Sequence, residues 1–253
     1  MIPYSTQTIE YDDLEAVRDV LTSPFLTCGP KITEFEDKVC TYTGANFAVG
    51  VNSCTSALHL AMIALGVSKG DRVFVSAISF VASSNCARYQ GADVDFIDVD
   101  KYTGNLDVDS LEQMLIDADK EHRLPKVVVA VHLSGRAVDL ERIAKLKAKY
   151  GFYLIEDAAH AFGAIYHDTM IGSCKFSDIT VLSFHPVKII TTAEGGMCLT
   201  NNENLYKLMR KFSTHGIEHH LDALENKDMP AYYYEMQDLG FNYPLLVLKA
   251  ALG

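Results

Sequence analysis

Seven apolar runs, at about 47–51, 72–77, 94–98, 127–133, 152–156, 179–184 and 195–200, recur along this chain of 253 residues. Stretches such as Phe152-Tyr153-Leu154-Ile155 and Ile179-Thr180-Val181-Leu182 lack the alternation of a strand with one wet face. Runs of that kind belong to strands buried on both sides, as in parallel sheets. Between them apolar positions recur at helical spacing, predicting helices near 10–22, 31–42, 108–118, 138–150 and 203–212, with a further helical pattern from Ala57 to Leu65. Strands separated mostly by helices predict one large α/β domain built on a mainly parallel seven-stranded sheet. No internal repeat or low-complexity linker divides it.

Open α/β sheets place their ligands beyond the carboxyl ends of the strands. Four strand ends here carry side chains that a single ligand could use together. The apolar run at 179–182 leads into Ser183-Phe184-His185-Pro186-Val187-Lys188, followed by Thr191-Thr192-Ala193-Glu194-Gly195-Gly196. A lysine on a short strand-end loop, with a hydroxyl before it and glycines after it, suits a Schiff base to a phosphorylated aldehyde, and pyridoxal 5′-phosphate is the cofactor of that kind. By itself the same lysine suits a solvated surface charge. Asp157, in Glu156-Asp157-Ala158-Ala159-His160, falls where an anion could face a protonated pyridine nitrogen; it also suits a helix cap. His160 could touch the ring or its phenolic oxygen, or sit satisfied in the core.

Asn52-Ser53-Cys54-Thr55-Ser56 precedes the helical pattern from Ala57. Free N–H groups and the positive end of the dipole favour a phosphate there, and the same residues make an ordinary cap. Phe80 lies just past the strand Val73-Phe74-Val75-Ser76-Ala77, where an aromatic could cover a flat ring or simply fill the core. Val131-His132-Leu133-Ser134-Gly135-Arg136 is a further strand-end loop on the same side.

Charge and composition narrow the partners. A formal net charge of −11 and a pI near 5.2 argue against nucleic acid, which demands a basic surface. An anionic substrate must then be held by local donors. No apolar run approaches the roughly 20 residues that span a bilayer, and the start lacks a charged segment followed by an apolar one, so neither membrane nor export is expected. The six cysteines, at 28, 40, 54, 86, 174 and 198, form no CxxC pair, consistent with a reduced cytoplasmic setting. His215, His219 and His220 lack companion Cys or acidic ligands at metal-site spacing, and no metal is expected.

On Phe25-Leu26-Thr27-Cys28-Gly29-Pro30, Asn52 to Leu58, Glu156 to Gly163, Ser183 to Lys188 and Leu239-Gly240-Phe241-Asn242-Tyr243, the chain resembles the DegT/DnrJ/EryC1/StrS sugar aminotransferases over its whole length. Alanine at 193, where most members carry glycine, is similar to the branch that makes the pseudaminic acid precursor. The resemblance implies the fold-type-I large domain of pyridoxal phosphate transferases over residues 1–240, with 241–253 opening a C-terminal region that is largely absent. It implies amino transfer from L-glutamate to C4 of a UDP-linked 4-keto-6-deoxy-N-acetylhexosamine, for surface glycan synthesis. A dTDP- or GDP-linked keto-sugar, or a cofactor-binding remnant without turnover, are the alternatives.

Carried over residue by residue, the resemblance makes Lys188 the catalytic lysine. Asp157 would hold the pyridine nitrogen, His160 the phenolic oxygen, and Phe80 the ring face; Thr55, Ser56 and Ser183 would hold the phosphate. Asn242 would reach the phosphate in a second subunit, which implies a homodimer with shared sites. Tyr4, Phe25, Leu26 and Thr27 match positions that contact the sugar nucleotide. Lysine at 188 argues against the dehydratase branch, which has histidine there. One departure stands out: Pro244-Leu245-Leu246-Val247-Leu248 follows Tyr243, where the family has arginine and a polar helix start. Pro244 suits a helix's first turn, and the apolar run after it is expected to lie uncovered, a liability for aggregation.

Overall fold

Eleven strands and eight helices follow one another in the computed structural model, which describes every residue except Met1, Tyr4 and Ala231 and the side chain of Leu221. The strands are β1 (Phe47–Val51), β2 (Arg72–Ser76), β3 (Asp93–Ile97), β4 (Val127–Val131), β5 (Tyr153–Asp157), β6 (Ile165–Tyr166), β7 (Thr169–Met170), β8 (Ile179–Ser183), β9 (Gly196–Thr200), β10 (Ile217–Glu218) and β11 (Glu235–Met236). Seven of them form the main sheet in the order β1-β9-β8-β5-β4-β2-β3, while β6–β7 and β10–β11 are small hairpin ribbons. Six sheet strands run the same way, and β9 runs against both its neighbours. The reversal has a local cause. Residues 184–195 carry no helix, and a return to a parallel register needs a crossover, usually helical. The chain therefore doubles back at this loop, which is the one that carries Lys188.

The helices are α1 (Tyr11–Leu21), α2 (Pro30–Thr43), α3 (Cys54–Ala64), α4 (Ala82–Tyr89), α5 (Val108–Lys120), α6 (Leu140–Tyr150), α7 (Glu203–Ser213) and α8 (Val247–Leu252). Alternation along the strands splits the interior into two cores. Phe74, Val128, Leu154 and Leu182 face one core, filled from α2, α5 and α6 by residues such as Phe35, Leu111 and Ile143. Val73, Val75, Val129, Ile155 and Val181 face the other, filled from α3, α4 and α7. Because α3 is sandwiched there, it buries Ala57, Leu58, Leu60, Ala61 and Met62, with no wet face over those turns.

Two elements differ from the expectation. Helix α4 was hidden by the polarity of Ser83-Ser84-Asn85, although the helix buries the small residues Ala82, Ser83, Cys86 and Ala87. Three residues of the apolar run after Tyr243 are covered, not loose: Leu245 is 0% exposed, Val247 1% and Ala250 6%, while Leu246 stays 38% exposed. Leu245 joins the core of Phe35 and Phe184, and α8 lies against α1 and α2. Pro244 does not open the helix, which begins at Val247. Instead Pro244 bridges antiparallel to Val51, and the Tyr243 carbonyl accepts from the Asn52 amide at 2.8 Å. His59 on α3 ties the same segment down, its Nδ1 lying 3.1 Å from the Tyr243 hydroxyl. Among the described residues no helix is long and apolar enough to cross a membrane.

Burial of Leu245 sets the first test. Leu245→Ala is expected to cost roughly 2–5 kcal/mol of unfolding free energy, read from urea denaturation. A loss below about 0.5 kcal/mol, the size of an ordinary surface change, would mean that this segment does not occupy the core.

Candidate active site

At the carboxyl ends of β2, β4, β5 and β8 the chain encloses a cavity of about 720 Å³. Thr55, Phe80, Asp157, His160, Ser183 and Lys188 all line it, although they come from four separate stretches of sequence. Ser56 does not. It is buried beneath the wall, where its hydroxyl donates to Asn52 Oδ1 at 2.6 Å and its amide donates to the capping Ser53 hydroxyl at 3.1 Å. Asn242 lies outside the cavity, exposed, in a bridge to Thr214. Phe25, Leu26 and Thr27 are exposed on the connection from α1 to α2 and do not line the cavity either. Tyr4 falls outside the described residues.

Lys188 sits on a loop closed at its neck. The Phe184 amide donates to the Gly195 carbonyl at 3.0 Å, and the Phe184 carbonyl accepts from the Thr192 amide and the Thr191 hydroxyl, each at 3.0 Å. Phe184 is wholly buried under the loop, while Lys188, its amide bonded to the His185 carbonyl at 2.8 Å, is half-buried. Ala193 completes the turn with φ +62°, in the left-handed region. An alanine there carries a cost that glycine does not.

The cavity floor is Asp157, 4% exposed. Its Oδ2 accepts from the Ser83 hydroxyl at 2.6 Å and its Oδ1 from the Ala159 amide at 3.1 Å. Its neighbour Glu156 points through the sheet to the other core. There it lies 2.8 Å from His132 Nε2 and also accepts from the Ser177 and Thr180 hydroxyls. Since His132 Nδ1 accepts from the Val138 amide at 3.2 Å, it is the Nε2–H that donates to Glu156. Beside the floor, His160 Nδ1 accepts from the Ser134 amide at 3.3 Å. Burial lowers the His160 pKa, the nearby Lys188 charge lowers it further, and Asp157 opposes them, so the ring is held neutral.

One end of the cavity is the start of α3, with Ser53, Cys54 and Thr55 in the wall. This helix end can come so close because Gly196 has no side chain: a Cβ there would stand 2.5 Å from the Cys54 nitrogen and the Ser53 carbonyl carbon. Helix amides, the dipole and the Thr55 and Ser183 hydroxyls together favour an anion at this end. The Cys54 thiol is pushed well up, by burial first and then by Asp157, which favours its S–H form. At the rim Phe80 is 72% exposed and Ile78 47%, leaving an apolar ledge over the cavity. His185 and Glu194 also line the cavity, 3.7 Å apart. The sequence reading missed Ser83 and Glu194. Ser83 sits three residues after Phe80, and its hydroxyl gains a role only through a partner 74 residues away.

Two measurements follow. For His59 and His160 burial sets the folded pKa below the ordinary 6.5. The unfolded chain then takes up protons first on acidification, so stability is unaffected by these groups well above pH 6.5 and falls as the pH drops below it. Urea unfolding at pH 7 and pH 5.5 is expected to show that fall, and His160→Gln to shrink it; a fall equal in both proteins would contradict a depressed His160. Ala193→Gly is expected to raise unfolding free energy by about 1 kcal/mol or less, strain relief being partly offset by unfolded-chain entropy. A destabilised variant would show that alanine is not strained there.

The profile of the DegT/DnrJ/EryC1/StrS aminotransferase family matches residues 7–253. The chain is 39% identical over 253 residues to a UDP-4-amino-4,6-dideoxy-N-acetyl-beta-L-altrosamine transaminase of Campylobacter jejuni, covering all of this chain and 63% of that protein. Among solved structures it superposes on Helicobacter pylori PseC, an aminotransferase involved in the biosynthesis of pseudoaminic acid, with a TM-score of 0.87, 31% identity, and coverage of 99% of this chain and 63% of the other. The sugar aminotransferase Spr1654 of Streptococcus pneumoniae in its PMP form, itself described as putative, gives 0.88 at 29% identity, covering 100% of this chain and 66% of the other. The chain thus spans about 63% of the length of the curated relatives it matches. The seven-stranded architecture is that of the fold-type-I transferases, as the resemblance implied. The chain belongs to the DegT/DnrJ/EryC1/StrS aminotransferase family.

Proposed function

We propose that this chain binds pyridoxal 5′-phosphate in the 720 Å³ cavity and uses Lys188 in amino transfer from L-glutamate to a nucleotide-linked keto-sugar. The observation that carries the reading is the meeting of Lys188, Asp157 and the start of α3 around one cavity. The donor set fits the group. A buried carboxylate at the floor suits a protonated ring nitrogen, a helix N-terminus with hydroxyls suits a phosphate, and the exposed Phe80 ledge suits a flat ring that would cover it.

Bound there, the cofactor supplies an electron sink. The chain supplies the rest. Asp157, held by two donors, would face the ring nitrogen. Thr55, Ser183 and the α3 amides would hold the phosphate, with Ser56 supporting them from behind as a cap partner. Phe80 would cover the ring and limit water there, and His160 would lie near the phenolic oxygen. Lys188, on its closed loop, would hold and return the proton at the reacting carbon.

For the sugar, the name of the Campylobacter jejuni relative supports a UDP-linked 4-amino-4,6-dideoxy-N-acetylhexosamine and its 4-keto partner. Phe25, Leu26 and Thr27, exposed outside the cofactor cavity, are in the reading the sugar-nucleotide contacts, together with Tyr4. Asn242, also outside, is the residue that serves a second subunit's site, which makes the active form a homodimer.

Borohydride reduction after incubation with pyridoxal phosphate is expected to fix the label on the peptide carrying Lys188, read by mass spectrometry, and Lys188→Ala to abolish it. Label retained on another lysine would overturn the assignment. With L-glutamate and a panel of UDP-, dTDP- and GDP-linked 4-keto sugars, amination is expected with the UDP-linked N-acetylhexosamine; preference for another nucleotide would correct the substrate.

A further inference from the structure

We infer that Ser83 is a positioning residue for the cofactor, acting through Asp157. The inference rests on the pyridoxal phosphate reading above. Ser83 is 0% exposed, so its hydroxyl cannot reach the cavity itself. It stands 2.6 Å from Asp157 Oδ2, while the Ala159 amide holds Oδ1 at 3.1 Å. An ionised carboxylate only accepts, so the Ser83 hydroxyl is the donor. The two donors come from different elements, α4 and the turn after β5. Each pins one oxygen and leaves it further acceptor capacity toward the cavity. Without Ser83 the carboxylate would keep only the backbone donor and could turn about its own side-chain bond.

The same turn carries a second constraint. The Ser83 amide donates to the Phe80 carbonyl at 3.0 Å, and the Ser83 carbonyl accepts from the Cys86 thiol at 3.2 Å. One turn thus sets the rim aromatic and the floor carboxylate in register. A ligand that stacks on Phe80 and points a positive edge at Asp157 meets both in the spacing that residues 80–83 impose. A hydroxyl at 83 is therefore worth most to a ligand that carries a proton at that edge. An otherwise identical ring without one gains nothing from it.

That difference supplies the test. Pyridoxal phosphate, and an analogue in which a C–H group replaces the ring nitrogen, are titrated into the wild-type chain, Ser83→Ala, Ser83→Thr, Asp157→Asn and the Ser83→Ala/Asp157→Asn double variant, with binding read from the visible spectrum and folding from urea denaturation. Ser83→Ala is expected to weaken pyridoxal phosphate roughly tenfold, the scale of one hydrogen bond to a charged group, and to leave the analogue within about twofold. Ser83→Thr, which keeps a hydroxyl, restores most of the loss, and in the Asp157→Asn background Ser83→Ala has no further effect. Equal weakening of both ligands would assign Ser83 to packing alone and overturn the inference, as would unchanged binding of pyridoxal phosphate. Wild-type chain that binds the analogue and pyridoxal phosphate equally would overturn the role of Asp157 itself, whereas failure to bind either would overturn the cofactor reading on which both rest.

Discussion

The contact on which the site depends is between two backbones. Gly196 opens β9 directly against the start of α3, where any side chain would fall within 2.5 Å of the Ser53 and Cys54 main chain. Close approach of this kind seats the helix N-terminus at the edge of the cavity, beside the end of β8 and the lysine loop. If the two elements stood apart by the width of a methyl group, the free amides of α3 would face water instead of the cavity. The field of a helix end falls off within its first turn, so the displacement would weaken its effect on a bound anion. The reversal of β9 is what permits this contact. A chain that crossed over by a helix after β8 could not bring Gly196 back beside Ser183, with which it pairs.

A second constraint is how neighbouring carboxylates are sorted. Glu156 and Asp157 are 2% and 4% exposed, and adjacent side chains on a strand point to opposite faces. A buried charge is tolerated only with partners. Each has its own: His132, Ser177 and Thr180 for Glu156 within the closed core, Ser83 and the Ala159 amide for Asp157. The Glu156 set closes on itself and leaves nothing to present to a ligand. The Asp157 set is incomplete toward the cavity, and that asymmetry is what makes one carboxylate structural and its neighbour available. The strand's period of two therefore assigns roles that composition cannot.

Much of this was legible in the chain. The sheet could be read because strands buried on both faces write near-continuous apolar runs, and the cavity because Lys188, Asp157, Thr55 and Phe80 each follow such a run. The rest depends on partners distant in sequence. Ser56 looks like a phosphate ligand from its position, yet Asn52 and Ser53 take its hydroxyl and amide. Leu245 looks like an exposed apolar residue after a proline, yet β1 and α2 leave a space that it fills. Helix α4 was obscured because its buried side is made of alanine, serine and cysteine, which give a weak apolar signal. In each case the sequence shows what a residue can do, and the fold selects among those options by what lies opposite.

The acidic balance of the chain illustrates the same division between global and local terms. A net charge of −11 opposes polyanions spread over a wide surface, because such ligands sum the field over many contacts. A phosphate held in the cavity, as proposed, would not. At physiological ionic strength exposed charges are screened beyond about 8 Å, and the groups nearest that end are the α3 amides, the Thr55 and Ser183 hydroxyls and Lys188. Around them the walls exclude much of the water that would weaken each interaction. An acidic protein can thus hold an anionic ligand without a basic surface, provided that the donors are fixed before the ligand arrives. Here they are fixed by Gly196, by the Ser53 cap and by the neck of the lysine loop.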